Sequence, residues 1–191
     1  MSSAGERTTA DDDLVRRYLA TRDEGAFLAL YRAHTPYLYA LASRFLGTRG
    51  ARVDEVIQES WVRAAERLPS FDRRSALRTW LGGFVVNCCR EERRRTTARR
   101  VEDLPGELPA PAAGAQDGLR IDLERALGAL PTDLRRVLVL FDLAGYSHQE
   151  IHGLLDIAAG TSKSRLFAAR RALRDLLAAG AAGTEARPET R

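Results

Sequence analysis

The chain has 191 residues, 45% of them hydrophobic and 29% charged, a composition that excludes a disordered chain and leaves room for one ordinary domain or two small ones. Its formal net charge is +4 and its pI about 9.5, and the cations are almost all arginine, with Lys163 the single lysine. No apolar run reaches membrane-spanning length, and the first residues are polar and acidic rather than signal-like, so the expected location is cytoplasmic.

Charge is unevenly spread. From Arg73 to Arg100 nine arginines face only Glu91 and Glu92, a net +7, while Val101 to Leu119 carries four acids and no cation. A second basic cluster follows at Lys163, Arg165, Arg170, Arg171 and Arg174. Arginine presents a planar fork of donors that suits phosphate, and two basic patches around an acidic stretch favour nucleic acid as the partner.

Met1 to Ala10 read as a loose tail. Asp11, Asp12 and Asp13 place negative charge where a helix N-terminus favours it, and Leu14, Tyr18 and Leu19 give that helix one apolar face. The next helical segment buries Phe27, Leu30, Tyr31, Leu38, Leu41 and Phe45; Pro36 is expected to kink or break it and Gly47 to end it. His34 reads as a partly exposed helix residue, because no second His or Cys stands at ligand spacing.

Val53 to Leu68 forms an amphipathic helix with Ile57, Trp61, Ala64 and Leu68 inward and Asp54, Glu55, Gln58, Glu59 and Arg63 outward. Pro69 and Ser70 end it. Phe71 to Ser75 is a basic loop carrying an aromatic, and Ser75 is expected to cap a helix from Ala76 to roughly Arg95. That helix begins apolar (Leu77, Trp80, Leu81, Phe84, Val85) and ends dense in arginine. Rings that can stack bases beside cations that can track phosphate are what a single strand of nucleic acid requires. Adjacent Cys88 and Cys89 point in different directions on a helix, so they read as small buried side chains rather than a disulfide.

Val101 to Gly118, with Pro105, Pro109 and Pro111, reads as an extended linker. Helices resume near Ile121 with a stripe of Leu123, Leu127 and Leu130, then Leu134, Val137, Leu138 and Phe141 after Pro131. Gly145 to Arg174 has the parts of a helix-turn-helix. Ser147 and Glu150 form an S-x-x-E capping box, Ile151, Leu154 and Leu155 share one face, and Asp156 to Ala159 leave room only for a tight turn. Gly160 and Thr161 open a second helix with Leu166, Leu173 and Leu177 as its stripe; beyond Ala178 the composition argues a frayed tail.

The fold class is therefore all-α: an N-terminal helical domain over 11–98, a flexible acidic linker over 99–120, and a four-helix helix-turn-helix domain over 121–178. No strand pattern and no repeat of the roughly 20-to-50-residue kind occurs. A Walker glycine loop, a nucleophile elbow and a metal-spaced His/Cys set are missing, so neither enzymatic activity nor a cofactor or metal is expected. His148 and His152 stand at i, i+4 without a third ligand and read as a solvated face.

With these features in place, the chain over nearly all of Asp11 to Leu177 resembles the extracytoplasmic-function (ECF) sigma factors of bacterial RNA polymerase. Three stretches carry the likeness: Asp54-Glu55, Gln58-Glu59 and Trp61 on one helix; Phe71 to Arg95 with Ser-Ala-Leu-Arg-Thr-Trp-Leu and Asn87; and Leu130-Pro131 followed by Gly145 to Leu177. The resemblance implies a subunit that directs promoter-specific initiation, melts and holds the −10 non-template strand, and reads the −35 duplex. Its expected partners are core RNA polymerase (the clamp helices of the largest subunit and the flap of the second largest), promoter DNA and an anti-sigma factor.

By the same resemblance, Asp54, Glu55, Gln58, Glu59, Trp61 and Arg63 would dock on polymerase. Phe71, Arg73, Arg74, Ser75, Arg78, Trp80, Asn87 and Arg90 would hold the −10 strand, with Asn87 its base-contacting asparagine. On the −35 element Lys163, Ser164, Phe167 and Ala168 fall at base-reading positions, and Thr161, Arg165, Arg170 and Arg171 suit phosphate. Three positions depart from the family pattern: Ala158 where a serine cap is common, Ser162 where valine is common, and Ala168 where arginine is frequent. A stand-alone dimeric helix-turn-helix regulator is the alternative, although no surplus apolar helix supplies a dimer interface.

Overall fold

The computed structural model describes the backbone of residues 3–102 and 118–185 and the side chains of residues 10–96 and 122–179. All regular elements among the described residues are helical. The chain forms two compact units, residues 1–43 with 50–99 and residues 44–49 with 100–191.

The first helix, α1 (Ser3–Thr21), begins well upstream of Asp11, so most of the expected loose tail is helical backbone. Ala4, Glu6, Arg7 and Ala10 are helix-favouring residues, and nothing before Asp11 compels a stop. Arg22 in the left-handed region (φ 55°) ends α1, and the Asp23 carboxylate accepts the Ala26 amide at 3.2 Å to start α2 (Glu24–Leu46). Pro36 does not break α2. Its missing N–H leaves the Arg32 carbonyl without a helical donor, but Arg32, Ala33 and Pro36 lie on the exposed face where water can substitute. Gly47, at φ 72°, ends the helix as expected, a backbone conformation in which glycine has no Cβ penalty.

Helix α3 (Ala51–Arg67) and a 3-10 turn (Leu68–Ser70) follow, then α4 (Leu77–Glu102). Ile57, Trp61, Ala64 and Leu68 are buried as the periodicity required, together with Val15, Ala26, Leu30, Leu38, Leu41, Leu81, Val85 and Val86. Trp61 is the centre of an aromatic cluster. Its ring lies edge-on to Phe27 at 5.7 Å and tilted to Tyr31 at 5.1 Å, and its indole N–H donates to Thr35 Oγ1 at 3.0 Å. Large rings packed in this way add about 0.5–1.5 kcal/mol per pair beyond their area burial.

His34 is buried rather than partly exposed, because its Nε2 pairs with Asp11 Oδ1 at 3.0 Å. The sequence separation of 23 hides this partner from any local reading. Cys88 and Cys89 are free and buried, and burial pushes both thiols above their ordinary range.

The second unit holds α5 (Gly118–Ala129), α6 (Thr132–Leu138) running into a π-helical turn (Val139–Leu143), α7 (His148–Leu155) and α8 (Ala159–Glu185). Leu127, Leu130, Val137, Leu138, Leu140, Ile151, Leu166 and Ala169 form its buried side, whereas Leu123 of the expected stripe remains exposed. Regular structure extends past the expected limits: α4 continues to Glu102, α5 begins at Gly118, and α8 runs to Glu185 rather than fraying at Ala178. At α8, Ala178, Ala179, Ala181 and Ala182 favour that continuation. Pro105, Pro109 and Pro111 of the linker lie outside the described residues.

Candidate nucleic-acid interface

Three surfaces carry the charge and the exposed rings. The first is the outer face of α3, where Asp54, Glu55, Gln58 and Glu59 are exposed, with Val62 and Glu66 continuing the face at helical spacing. Two of the expected docking residues do not belong to it. Trp61 is only 6% exposed, since the aromatic cluster claims its ring. The Arg63 guanidinium donates to Glu59 Oε1 at 2.7 Å and to both oxygens of Glu91 on α4 at 2.7 Å each. It is a strut between α3 and α4, and its bonds hold the Glu91 carboxyl below the ordinary glutamate range.

The second surface is an open groove of about 570 Å³ along α4. Residues 80, 84, 87, 91 and 94 recur at helical spacing and bring Trp80, Phe84, Asn87, Glu91 and Arg94 to one face. Arg63, Arg67, Ser70 and Arg90 complete the lining with Glu66. Phe71, Trp80 and Phe84 form a ladder, with centroids 5.3 Å and 4.7 Å apart. Phe71 is buried beneath it, so the ring expected to stack bases instead supports Trp80.

The loop arginines are distributed differently. Arg73, at φ 59°, reaches Asp12 of α1 with its Nε at 3.2 Å, Arg74 pairs with Asp72, and the Arg78 guanidinium lies 3.6 Å over the Tyr37 ring. Ser75 is exposed and does not stand at the start of α4: the Ala76 carbonyl accepts the Thr79 and Trp80 amides at 2.9 and 3.1 Å, so Ala76 is the boundary residue. Of the expected −10 set, Trp80, Asn87 and Arg90 therefore line the groove, with Phe71 beneath. Sequence reasoning missed Arg67, Phe84 and Arg94 as groove residues. The i, i+4, i+7 recurrence of Trp80, Phe84 and Asn87 was a signal that could have found Phe84.

The third surface is the helix-turn-helix. Gly145 (φ 76°) turns the chain into Ser147, whose capping box is complete: the Glu150 amide donates to Ser147 Oγ at 3.3 Å and the Ser147 amide to Glu150 Oε2 at 2.7 Å. Asp156 in the left-handed region (φ 55°) ends α7, and the His152 Nδ1–H donates to the Ile157 carbonyl at 2.8 Å across the turn. Ala158 supplies only its carbonyl, which accepts the Ser162 amide at 2.9 Å.

His148 is not a solvated residue. Its ring stacks on Phe141 at 4.5 Å and its Nδ1 lies 2.9 Å from Oγ of Ser162, which is 0% exposed. The position where a valine is common in the family is filled by a hydroxyl with its own partner.

On α8 Lys163, Ser164, Phe167, Ala168 and Arg171 are exposed, and Phe167 is 74% exposed, an unusual display for a large ring. Two expected phosphate contacts are already engaged: Arg165 lies 3.5 Å from Asp133, and Arg170 donates from Nε to Asp142 at 3.1 Å while lying over Phe141. Thr161 is half-buried. Arg174, part of the basic cluster but not of the expected −35 contact set, is exposed and without an ion pair among the described residues, one turn beyond Arg171.

No metal-holding cluster of His, Cys, Asp or Glu occurs among the described residues, and no described helix is long and apolar enough to cross a membrane. The chain matches the family models Sigma-70 region 2 over residues 30–99 and Sigma-70, region 4 over residues 120–173. It is 33% identical over 173 residues to the ECF RNA polymerase sigma factor SigM of Mycobacterium tuberculosis, covering 91% of this chain and 87% of that one. With the ECF RNA polymerase sigma-E factor of Salmonella typhimurium it shares 31% over 179 residues, 85% of this chain and 92% of the relative. Among solved structures it is similar to the sigma factor RpoE in complex with the anti-sigma factor NepR from Bartonella quintana (TM-score 0.62, 25% identity, 79% of this chain and 96% of that one). It is also similar to CnrH in complex with the cytosolic domain of CnrY (TM-score 0.58, 28% identity, 89% and 98%). A stand-alone helix-turn-helix regulator would have no use for the region 2 unit, and the chain belongs to the ECF family of RNA polymerase sigma factors, which direct promoter-specific initiation of transcription.

Proposed function

We propose that the chain docks on the clamp helices of core RNA polymerase through Asp54, Glu55, Gln58 and Glu59, holds the melted −10 non-template strand in the α4 groove, and reads the −35 duplex with the start of α8. The groove is the observation that carries this reading. It combines two rings packed edge to face, several arginines and an exposed asparagine, the combination a single strand needs for stacking, phosphate tracking and base contact. Each stacked base returns roughly 1–3 kcal/mol, enough to offset unstacking one base. On α8, Lys163 can donate to guanine and Phe167 can lie against thymine methyls, while Arg171 and Arg174 face phosphate.

An anti-sigma protein belongs to the same reading, since the similar structures are of RpoE in complex with the anti-sigma factor NepR and of CnrH in complex with the cytosolic domain of CnrY. The test is run-off transcription with purified core polymerase on a genomic promoter pool, followed by sequencing of the enriched upstream elements. Promoter-specific transcripts that disappear with Trp80→Ala and Asn87→Ala are expected. Transcription indifferent to both substitutions would overturn the groove assignment.

A further inference from the structure

Two carboxylates line the groove proposed for a polyanion: Glu66, which has no ion pair among the described residues, and Glu91. The same groove edge shows how the charge of Glu91 is covered. Arg63, projecting from α3, places both terminal nitrogens 2.7 Å from the two Glu91 oxygens, a bidentate fork, while its Nε is held by Glu59 at 2.7 Å. The Arg63 side chain is about one-third exposed, at 33%, and that of Glu91 at 37%, so what fixes the arrangement is the pairing of the guanidinium with two acids rather than burial. We propose that Arg63 is a positioning residue for the −10 strand: it masks Glu91, so that the phosphates meet one uncompensated carboxylate of the groove lining, Glu66, instead of two. Arg63 itself touches neither polymerase nor base in this account. Glu66 is exposed and has no ion pair among the described residues, so the masking concerns Glu91 alone.

The inference rests on the groove being the strand site, and the experiment separates the two. Holoenzyme assembled from full-length chain and core polymerase is used to select a single-stranded oligodeoxynucleotide from a pool randomised over the −10 span. Binding of that labelled oligonucleotide is then measured by fluorescence anisotropy across a salt series. Arg63→Met should weaken binding about three- to ten-fold at low salt, the size of one uncovered charge near a phosphate, with the deficit shrinking as salt rises. Adding Glu91→Gln to Arg63→Met should restore most of the affinity, because the carboxylate no longer needs a mask.

A merely structural strut predicts the opposite, since the double variant lacks the pair entirely and would stay weak. Persistence of the loss in the double variant, or full affinity in Arg63→Met, overturns the masking role. Trp80→Ala serves as the control: if it leaves binding unchanged, the groove is not the strand site and the underlying reading has failed; if it abolishes binding while Arg63→Met does nothing, only the masking inference has failed. Circular dichroism of each variant, with Arg63→Lys included as the charge-keeping change, identifies any variant that loses affinity by unfolding.

Discussion

Replacing His148 by alanine tests how the recognition helix is seated. Ser162 Oγ has no solvent and one side-chain partner, the His148 Nδ1 at 2.9 Å. Removing the imidazole orphans a buried hydroxyl, which costs about 1–3 kcal/mol. The stacked contact with Phe141 at 4.5 Å is lost as well, worth about 0.5–1.5 kcal/mol. His148 is half-buried, so the lower half of each range applies and the expected loss is about 2 kcal/mol. Hydrogen-exchange mass spectrometry on the full chain isolates this effect to peptides covering α7 and the start of α8, where protection should fall by about thirty-fold.

The partner change sharpens the test. Ser162→Ala leaves imidazole that can still meet water, so it should cost about 1 kcal/mol or less. His148→Ala with Ser162→Ala has no orphaned hydroxyl, so the double variant should be more protected than His148→Ala alone. A double variant no better than the single, or a loss below about three-fold in His148→Ala, would refute the reasoning.

Other consequences follow from exposure and charge. Phe167→Ala should leave the unfolding temperature unchanged, because the ring is largely in solvent, and should reduce −35 duplex affinity by about 1–2 kcal/mol in gel-shift titrations with holoenzyme. Asp54→Lys with Glu59→Lys should weaken co-purification with core polymerase at least ten-fold, an effect of roughly 1.4 kcal/mol or more, while the circular dichroism spectrum stays that of the wild type. The Glu91 carboxyl is held below its ordinary value of 4.5 by the Arg63 hydrogen bonds. A lowered folded value means its stabilising contribution is present above the unfolded value and is lost as pH falls through the folded one. Arg63→Met should therefore raise the pH midpoint of acid unfolding, read by tryptophan fluorescence, and a midpoint that stays fixed would contradict the coupling.

Periodicity and capping chemistry are local properties, and they determined much of this molecule. The all-helical class, the buried row Ile57, Trp61, Ala64 and Leu68, the Ser147–Glu150 capping box and the stop at Gly47 each depend on residues within about two turns of one another, so the chain alone encodes them. The exposed acids of α3 were legible for the same reason, whereas Phe167 was singled out only by the resemblance to the family.

What the sequence could not determine was which polar side chains find distant partners. His34 reaches Asp11, Arg73 reaches Asp12, Arg63 reaches Glu91, Arg170 reaches Asp142 and His148 reaches Ser162. Each pairing needs two segments brought together by apolar packing, and helical spacing carries no information about which segment lies opposite. Phe71 was misplaced for the same reason: whether a loop ring meets a base or a neighbouring tryptophan depends on where α4 packs against it. The chain by itself set the helices and their faces; packing decided which charges remain free for nucleic acid.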